Sequence, residues 1–321
     1  MRTWSIEIDV SPVAPGLGPC VLGGMLYAPD EIDVSNPPQV VFCLAGGRCS
    51  ISYFDLAVDG FEGYSMVEHL TGRGLVLVAL DHLGIGASTP LDDPCVVTPN
   101  VAAATHDHAV RDVVRRLRAG SLIDALPAFE PPAVIGLGHS MGGMVIVVEQ
   151  ARHATFDAIV VLGHSGEGTW EALTDEERLL MSVPAEQREA AMAELAGVRA
   201  RGLPPETARR AAPGSFFLPD VPRPVKAAFS AERTELLYGC ALSTMIPGHT
   251  DAEKATVAVP VLLAFGDHDL TDDYEANAAG YRSCADLTLF VLEGSAHCHN
   301  QAGTRALLWD RVAEWVVSAP R

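Results

Sequence analysis

Apolar residues fall along this chain in short unbroken runs, separated by longer stretches where they recur every three or four positions. The runs cover residues 40–44, 75–80, 133–137, 158–162, 259–265 and 287–292. A strand that is apolar on both faces belongs in a parallel sheet with helices on each side. Helical spacing fills the gaps, at 64–71, 101–118, 141–153 and 304–317. In the second of these, Val110, Val113, Val114 and Leu117 share a face; in the last, Leu307, Leu308, Val312, Trp315 and Val316 do. The first ten residues alternate polar and apolar, and with 20–26 they predict an antiparallel hairpin. Strands alternating with helices predict an α/β fold built on a mostly parallel, doubly wound sheet.

The alternation breaks between about residue 165 and residue 256. This stretch is rich in Ala, Glu and Arg, as in 186–201, and is punctuated by Pro204-Pro205, Pro213-Gly214 and the prolines of 219–224. It predicts a helical cap (165–255) inserted into a core made of 1–164 and 256–321. Met181, Phe216, Phe217, Leu218, Phe229, Leu236, Leu237 and Tyr238 supply apolar material for a pocket wall.

Charge narrows the partners. The 321 residues carry 22 Lys and Arg against 41 Asp and Glu, a net charge of −19. Nucleic acid and anionic membrane both require a basic face, so neither is expected as a partner. Seven scattered cysteines without a Cys-x-x-Cys pair suggest reduced thiols and a cytoplasmic setting. The first residues lack the apolar core of a signal peptide, and no apolar run approaches the roughly 18 residues of a membrane span.

The strongest chemical signal is Gly138-His139-Ser140-Met141-Gly142, a G-x-S-x-G pattern with a strand before it and a helix after it. A nucleophilic serine needs a sharp turn that lifts its hydroxyl clear of the sheet, with glycines where neighbouring backbone must come close. The same turn aims the Met141 N–H and the helix start at a point where an oxyanion can form. Gly163-His164-Ser165-Gly166-Glu167 imitates the pattern, but Glu167 stands where glycine is required. Ser165 is therefore expected only at the pocket mouth.

A serine hydroxyl is weakly acidic and needs a positioned base. His297 follows the last strand run, at the sheet edge where catalytic groups gather; His299 is its rival. The acid that orients the base is expected in Gly266-Asp267-His268-Asp269, with Asp269 favoured over Asp267 because it lies beyond the glycine turn. The second oxyanion donor is expected after the third strand, in Ala45-Gly46-Gly47-Arg48, with Gly47 favoured over Arg48. Arg48, His139, Phe217 and Tyr238 are expected to contact substrate. His106-Asp107-His108, Asp267-His268-Asp269 and His297-Cys298-His299 lack zinc spacing, so no metal is expected. Gly84-Ile85-Gly86 lacks the final glycine of a dinucleotide fingerprint, so no cofactor is expected either.

Together these residues resemble the α/β-hydrolase superfamily over nearly the whole chain. The order Ser140…Asp269…His297 is that of the family. Asp81-His82-Leu83-Gly84-Ile85-Gly86-Ala87-Ser88 is similar to the family's D-x-x-G-x-G-x-S turn, which implies structural glycines packed beside the nucleophile loop. Ala45-Gly46 stands where many members carry His-Gly. The haloalkane dehalogenases and epoxide hydrolases of the superfamily use aspartate at the nucleophile position, unlike this chain. The resemblance implies hydrolysis of a small carboxylic ester or related acyl compound through an acyl-enzyme. Thioesterase, lactonase, amidase and C–C hydrolase chemistry use the same groups, and a silent ligand receptor on the same scaffold is the non-enzymatic alternative.

Overall fold

The computed structural model describes residues 1–202 and 216–319. Pro204-Pro205 and Pro213-Gly214 lie outside the described residues. Eight strands form one sheet: β1 Arg2–Asp9, β2 Val21–Ala28, β3 Val40–Leu44, β4 Val76–Leu80, β5 Val134–His139, β6 Ala158–Leu162, β7 Val261–His268 and β8 Leu287–Ala296. Their spatial order is β1-β2-β4-β3-β5-β6-β7-β8. The hairpin β1–β2 and the pair β2–β4 are antiparallel, and every other pair is parallel.

The unbroken apolar runs follow from period-2 alternation between two cores. In β3, Val40, Phe42 and Leu44 enter one cluster, while Val41, Cys43 and the following Ala45 enter the other. Helices α2 (Pro99–Arg118) and α3 (Met141–His153) cover the first face through residues such as Val110, Val113 and Val147. On the opposite face, α1 (Met66–Gly72) and the C-terminal helix Arg305–Ser318 bring Leu70, Trp309, Val312 and Val316. Local chemistry fixes the helix starts. Ser65 accepts from the Glu68 N–H at 3.0 Å, and Thr98 accepts from Val101 at 3.3 Å ahead of Pro99. β8 runs four residues past its apolar core, since its parallel pairing with β7 continues to His268 and Ala296.

Between β6 and β7 the described residues hold helices and no strand: α4 Asp175–Arg178, α5 Ala185–Ala200, α6 Arg223–Ala231, α7 Tyr238–Met245 and α8 Asp251–Thr256. After β7 come α9 (Tyr274–Ala279) and then, beyond β8, α10, the C-terminal helix already described. A separate small core of Leu173, Leu180, Met192, Leu242 and Ile246 holds α5 to α7. A buried ion pair adds to it, with Arg199 Nε 2.7 Å from Glu177 Oε1.

One buried group in α3 is a carboxyl whose ionisation the fold opposes. Glu149 is fully buried, and neither carboxylate oxygen has a hydrogen-bond partner among the described residues. Burial, reinforced by the nearby Asp107, pushes its carboxyl well above the ordinary range. The folded chain therefore keeps a proton that the unfolded chain releases. Stability from this group is complete in acid, below the ordinary glutamate pKa, and fades as pH rises through the raised one. Glu149→Gln should raise the melting temperature at pH 8 and leave it nearly unchanged near pH 4. Melting curves across that range test this; a lower melting temperature at pH 8 would rule it out.

Candidate active site

Four strands end at one place. β5 leads into a turn in which Ser140 adopts φ 53° and ψ −115°, a left-handed conformation that only a rigid surround holds in a non-glycine residue. The Ser140 N–H donates to Leu162 O at 2.7 Å, which ties the turn to β6. The flanking glycines are sterically required. A Cβ on Gly138 would lie 2.3 Å from Gly142 O, and one on Gly142 would lie 2.2 Å from Leu44 O. The α3 helix thus begins hard against the end of β3.

The turn aims Ser140 Oγ at an imidazole. His297 Nε2 lies 2.9 Å from Oγ, and His297 Nδ1 lies 2.6 Å from Asp269 Oδ1. Asp269 stands just past a register shift between Gly266 and His268 on β7, an irregularity of the kind that re-aims a side chain. Its carboxylate is saturated with donors. Leu270 N–H reaches Oδ1 at 2.7 Å, while Gly266 N–H at 3.1 Å and His299 Nε2 at 2.8 Å reach Oδ2. Burial opposes ionisation of Asp269, but the two imidazoles and their hydrogen bonds outweigh it and hold the carboxyl far below the usual range.

The two rivals take different places. His299 is fully buried and bonds the far side of Asp269, away from Ser140. Asp267 Oδ1 accepts from the Ser295 N–H at 3.0 Å and lies 2.9 Å from His268 Nδ1, bracing the loop between β7 and β8. Ser165 lines the cavity but belongs to a loop without the strained turn.

On the opposite side of Ser140, Cys49 N–H donates to Gly46 O at 3.1 Å, closing a tight turn with Gly47 and Arg48 at its centre. Arg48 takes φ 63° there. A Cβ on Gly47 would stand 3.8 Å from Met141 Sδ, so this turn and the start of α3 are neighbours. As the first residue of a helix, Met141 has no intrahelical acceptor for its N–H.

The loop after β3 has a support that spacing does not reveal. His82 Nε2 donates to Ala45 O at 2.9 Å, and His82 Nδ1 meets His106 Nε2 at 2.9 Å. Asp81 Oδ1 accepts from the Ile51 N–H and Oδ2 from Ala87, each at 2.8 Å. The turn that carries Asp81 therefore braces the loop after β3, and not the nucleophile loop as the sequence pattern suggested. A fold-level motif hid this role, because the partners lie 30 and 37 residues away.

His139 also differs from expectation. It borders the cavity, yet its ring stacks on Tyr53 at 4.4 Å and its Nε2 donates to His297 O at 2.8 Å, leaving the residue 2% exposed. Burial first, and then His297 and His299, hold it neutral. It backs the His297 loop and meets the cavity only at its edge.

Above Ser140 lies a cavity of about 970 Å³. Arg48, Phe216, Phe217, Phe229, Leu236 and Tyr238 line it. Three residues expected in the wall are absent from it: Leu237 is buried in the main core, Met181 is exposed at 45%, and Leu218 is half-buried outside the lining. Among the described residues no helix is long and apolar enough to cross a membrane, and no group of three His, Cys, Asp or Glu side chains is arranged to hold a metal ion.

A family model described as "Alpha/beta hydrolase family" matches residues 40–308. The chain belongs to that family. Solved structures agree in fold. Epoxide hydrolase A from Mycobacterium thermoresistibile is 13% identical, with 99% of each chain covered and a TM-score of 0.62. A thermophilic esterase from Thermogutta terrifontis is 16% identical, with 98% of each chain covered and a TM-score of 0.61. Proline iminopeptidase from Mycobacterium smegmatis is 17% identical, with 98% of each chain covered and a TM-score of 0.60. At these identities the likeness is one of architecture, and the three named activities differ. No curated protein sequence matches the chain significantly.

Proposed function

We propose that this α/β hydrolase is a serine hydrolase of small carboxylic esters, acting through an acyl-enzyme. The observation that carries the reading is the continuous chain Ser140 Oγ, His297 and Asp269, with links of 2.9 and 2.6 Å, standing at a strained turn beneath a cavity. In this reading Ser140 Oγ attacks the acyl carbonyl and passes its proton to His297 Nε2. The Nδ1–H of His297 donates to Asp269 throughout, and the carboxylate stabilises the imidazolium. The N–H groups of Gly47 and Met141 hold the oxyanion of the tetrahedral intermediate. Its collapse expels the alcohol, which takes the proton from His297. Water then attacks the acyl-enzyme with His297 as base, releasing the acid and restoring Ser140.

Residues 165–255 act in this proposal as a cap whose Phe217 and Tyr238 wall the acyl or alcohol pocket, and the enzyme works in the cytoplasm without metal or cofactor. Phe216, Phe217, Phe229 and Leu236 in the wall give an apolar acyl or alcohol part a surface to pack on. A fluorophosphonate probe tests the chemistry directly. It should attach one equivalent to the protein, at Ser140 by peptide mass spectrometry. Attachment at Ser165, or none at all under conditions where a known serine esterase is labelled, would overturn the proposal.

A further inference from the structure

The cavity above Ser140 carries a charge opposite to that of the chain around it. The protein has almost two acidic residues for every basic one. Yet the described residues lining the cavity include three arginines, Arg48, Arg199 and Arg233, and one carboxylate, Asp269. That carboxylate is occupied by four donors and faces His297. Arg199 is neutralised by Glu177 in a pair buried on both sides. Arg48 and Arg233 have no ion pair among the described residues. The two sit on different elements: Arg48 is central in the turn after β3, and Arg233 follows α6. Backbone joins these segments, since the Thr234 N–H donates to Arg48 O at 3.0 Å. Arg233 also faces the two thiols that flank the reacting groups. Burial raises both the Cys49 and the Cys298 thiol, and the guanidinium acts on each in the opposite sense.

We infer that the cavity binds an ester bearing a second, anionic group, a carboxylate or a phosphate, which Arg48 and Arg233 clasp while Ser140 attacks the acyl carbon. This rests on the ester hydrolase reading and names its substrate class. Guanidinium groups suit the role because they stay charged and present a fork of donors to two oxygens at once. The chain's net charge does not prevent it. Charges elsewhere on the surface are screened beyond about 8 Å at physiological ionic strength, whereas two arginines at the cavity wall act at contact distance. Among the described lining residues, Ser230 and Thr169 add hydroxyls, and Asp269 is the one carboxylate.

The test compares the mono-4-nitrophenyl ester of glutaric acid with the 4-nitrophenyl ester of pentanoic acid, which match in length and differ in the terminal carboxylate. Binding is measured by calorimetry on Ser140→Ala, so the readout does not depend on turnover. The anionic ester should bind at least about tenfold more tightly, the scale of a charge-assisted hydrogen-bonded pair. Arg233→Gln and Arg48→Gln, each in the Ser140→Ala background, should shrink that preference by about fivefold or more. Arg233→Glu should reverse it in favour of a cationic ester. Because Arg233 is exposed, melting curves should stay close to those of the parent. Equal or tighter binding of the neutral ester, or a preference that survives both arginine changes, overturns the inference even if the protein hydrolyses esters. Tight anionic binding by a protein that no phosphonate labels would instead remove the hydrolase reading and keep the anion site.

Discussion

Ser140→Ala should lose hydrolysis by at least about 10⁴-fold in kcat while the protein keeps its melting temperature. Removing Oγ removes the attacking atom, and what then remains is rate enhancement from binding and the oxyanion donors. The fold is expected to tolerate the change. Among the described residues the hydroxyl has one side-chain hydrogen-bond partner, His297, whereas the turn itself is held by backbone: Ser140 N–H to Leu162 O at 2.7 Å and Met144 N–H to Ser140 O at 3.0 Å. Alanine also fits the left-handed backbone about as well as serine does. Ser165→Ala should retain most activity, because Glu167 replaces the glycine that a nucleophile turn needs. Initial rates on a chromogenic ester, beside melting curves, decide the matter. An inactive Ser165→Ala with an active Ser140→Ala would move the nucleophile.

Asp269→Asn should cost on the order of 10⁴-fold in kcat/KM. Each carboxylate oxygen accepts one imidazole and one backbone N–H, so an amide NH₂ placed on either side meets a donor. Facing His297, it forces the proton from Nδ1 to Nε2, where the imidazole can no longer accept from Ser140. Facing His299, it leaves the tautomer of His297 intact but still removes the charge that stabilises the imidazolium. Asp267→Asn should cost less than about tenfold, since its partners are Ser295 N–H and the exposed His268. Steady-state kinetics of the two variants separate them, and a larger loss in Asp267→Asn would reassign the acid.

Much of this architecture is legible in the residue pattern. The runs at 40–44 and 158–162 are strands with those bounds, because a strand buried on both faces admits only apolar residues throughout. The helix after Ser140 starts and ends where the pattern puts it, at Met141 and His153. Less legible was the length of β8, whose end, Glu293-Gly294-Ser295-Ala296, carries no apolar run yet stays paired with β7 and buries Ser295 and Ala296. The cavity wall was read in part: Phe217 and Tyr238 line it, but Leu237 points into the core, because helical spacing does not say which face meets which layer.

The sequence by itself determined the α/β class, the insertion of a helical segment between two strands, and the turn that presents Ser140. Each depends on contacts within a few residues or on a repeating apolar period, so local chemistry is sufficient. Tertiary structure alone decided the rest. It set His297 rather than His299 against Ser140, split the Asp269 carboxylate between both histidines, gave His139 to Tyr53 and the His297 carbonyl, and made Asp81 and His82 the braces of the loop after β3. Apart from the His139–Tyr53 ring stack, these are hydrogen bonds between residues 28 to 158 positions apart. Their partners are chosen by strand order and register, which place the ends of β3, β5, β7 and β8 side by side, and no spacing along the chain encodes that distance.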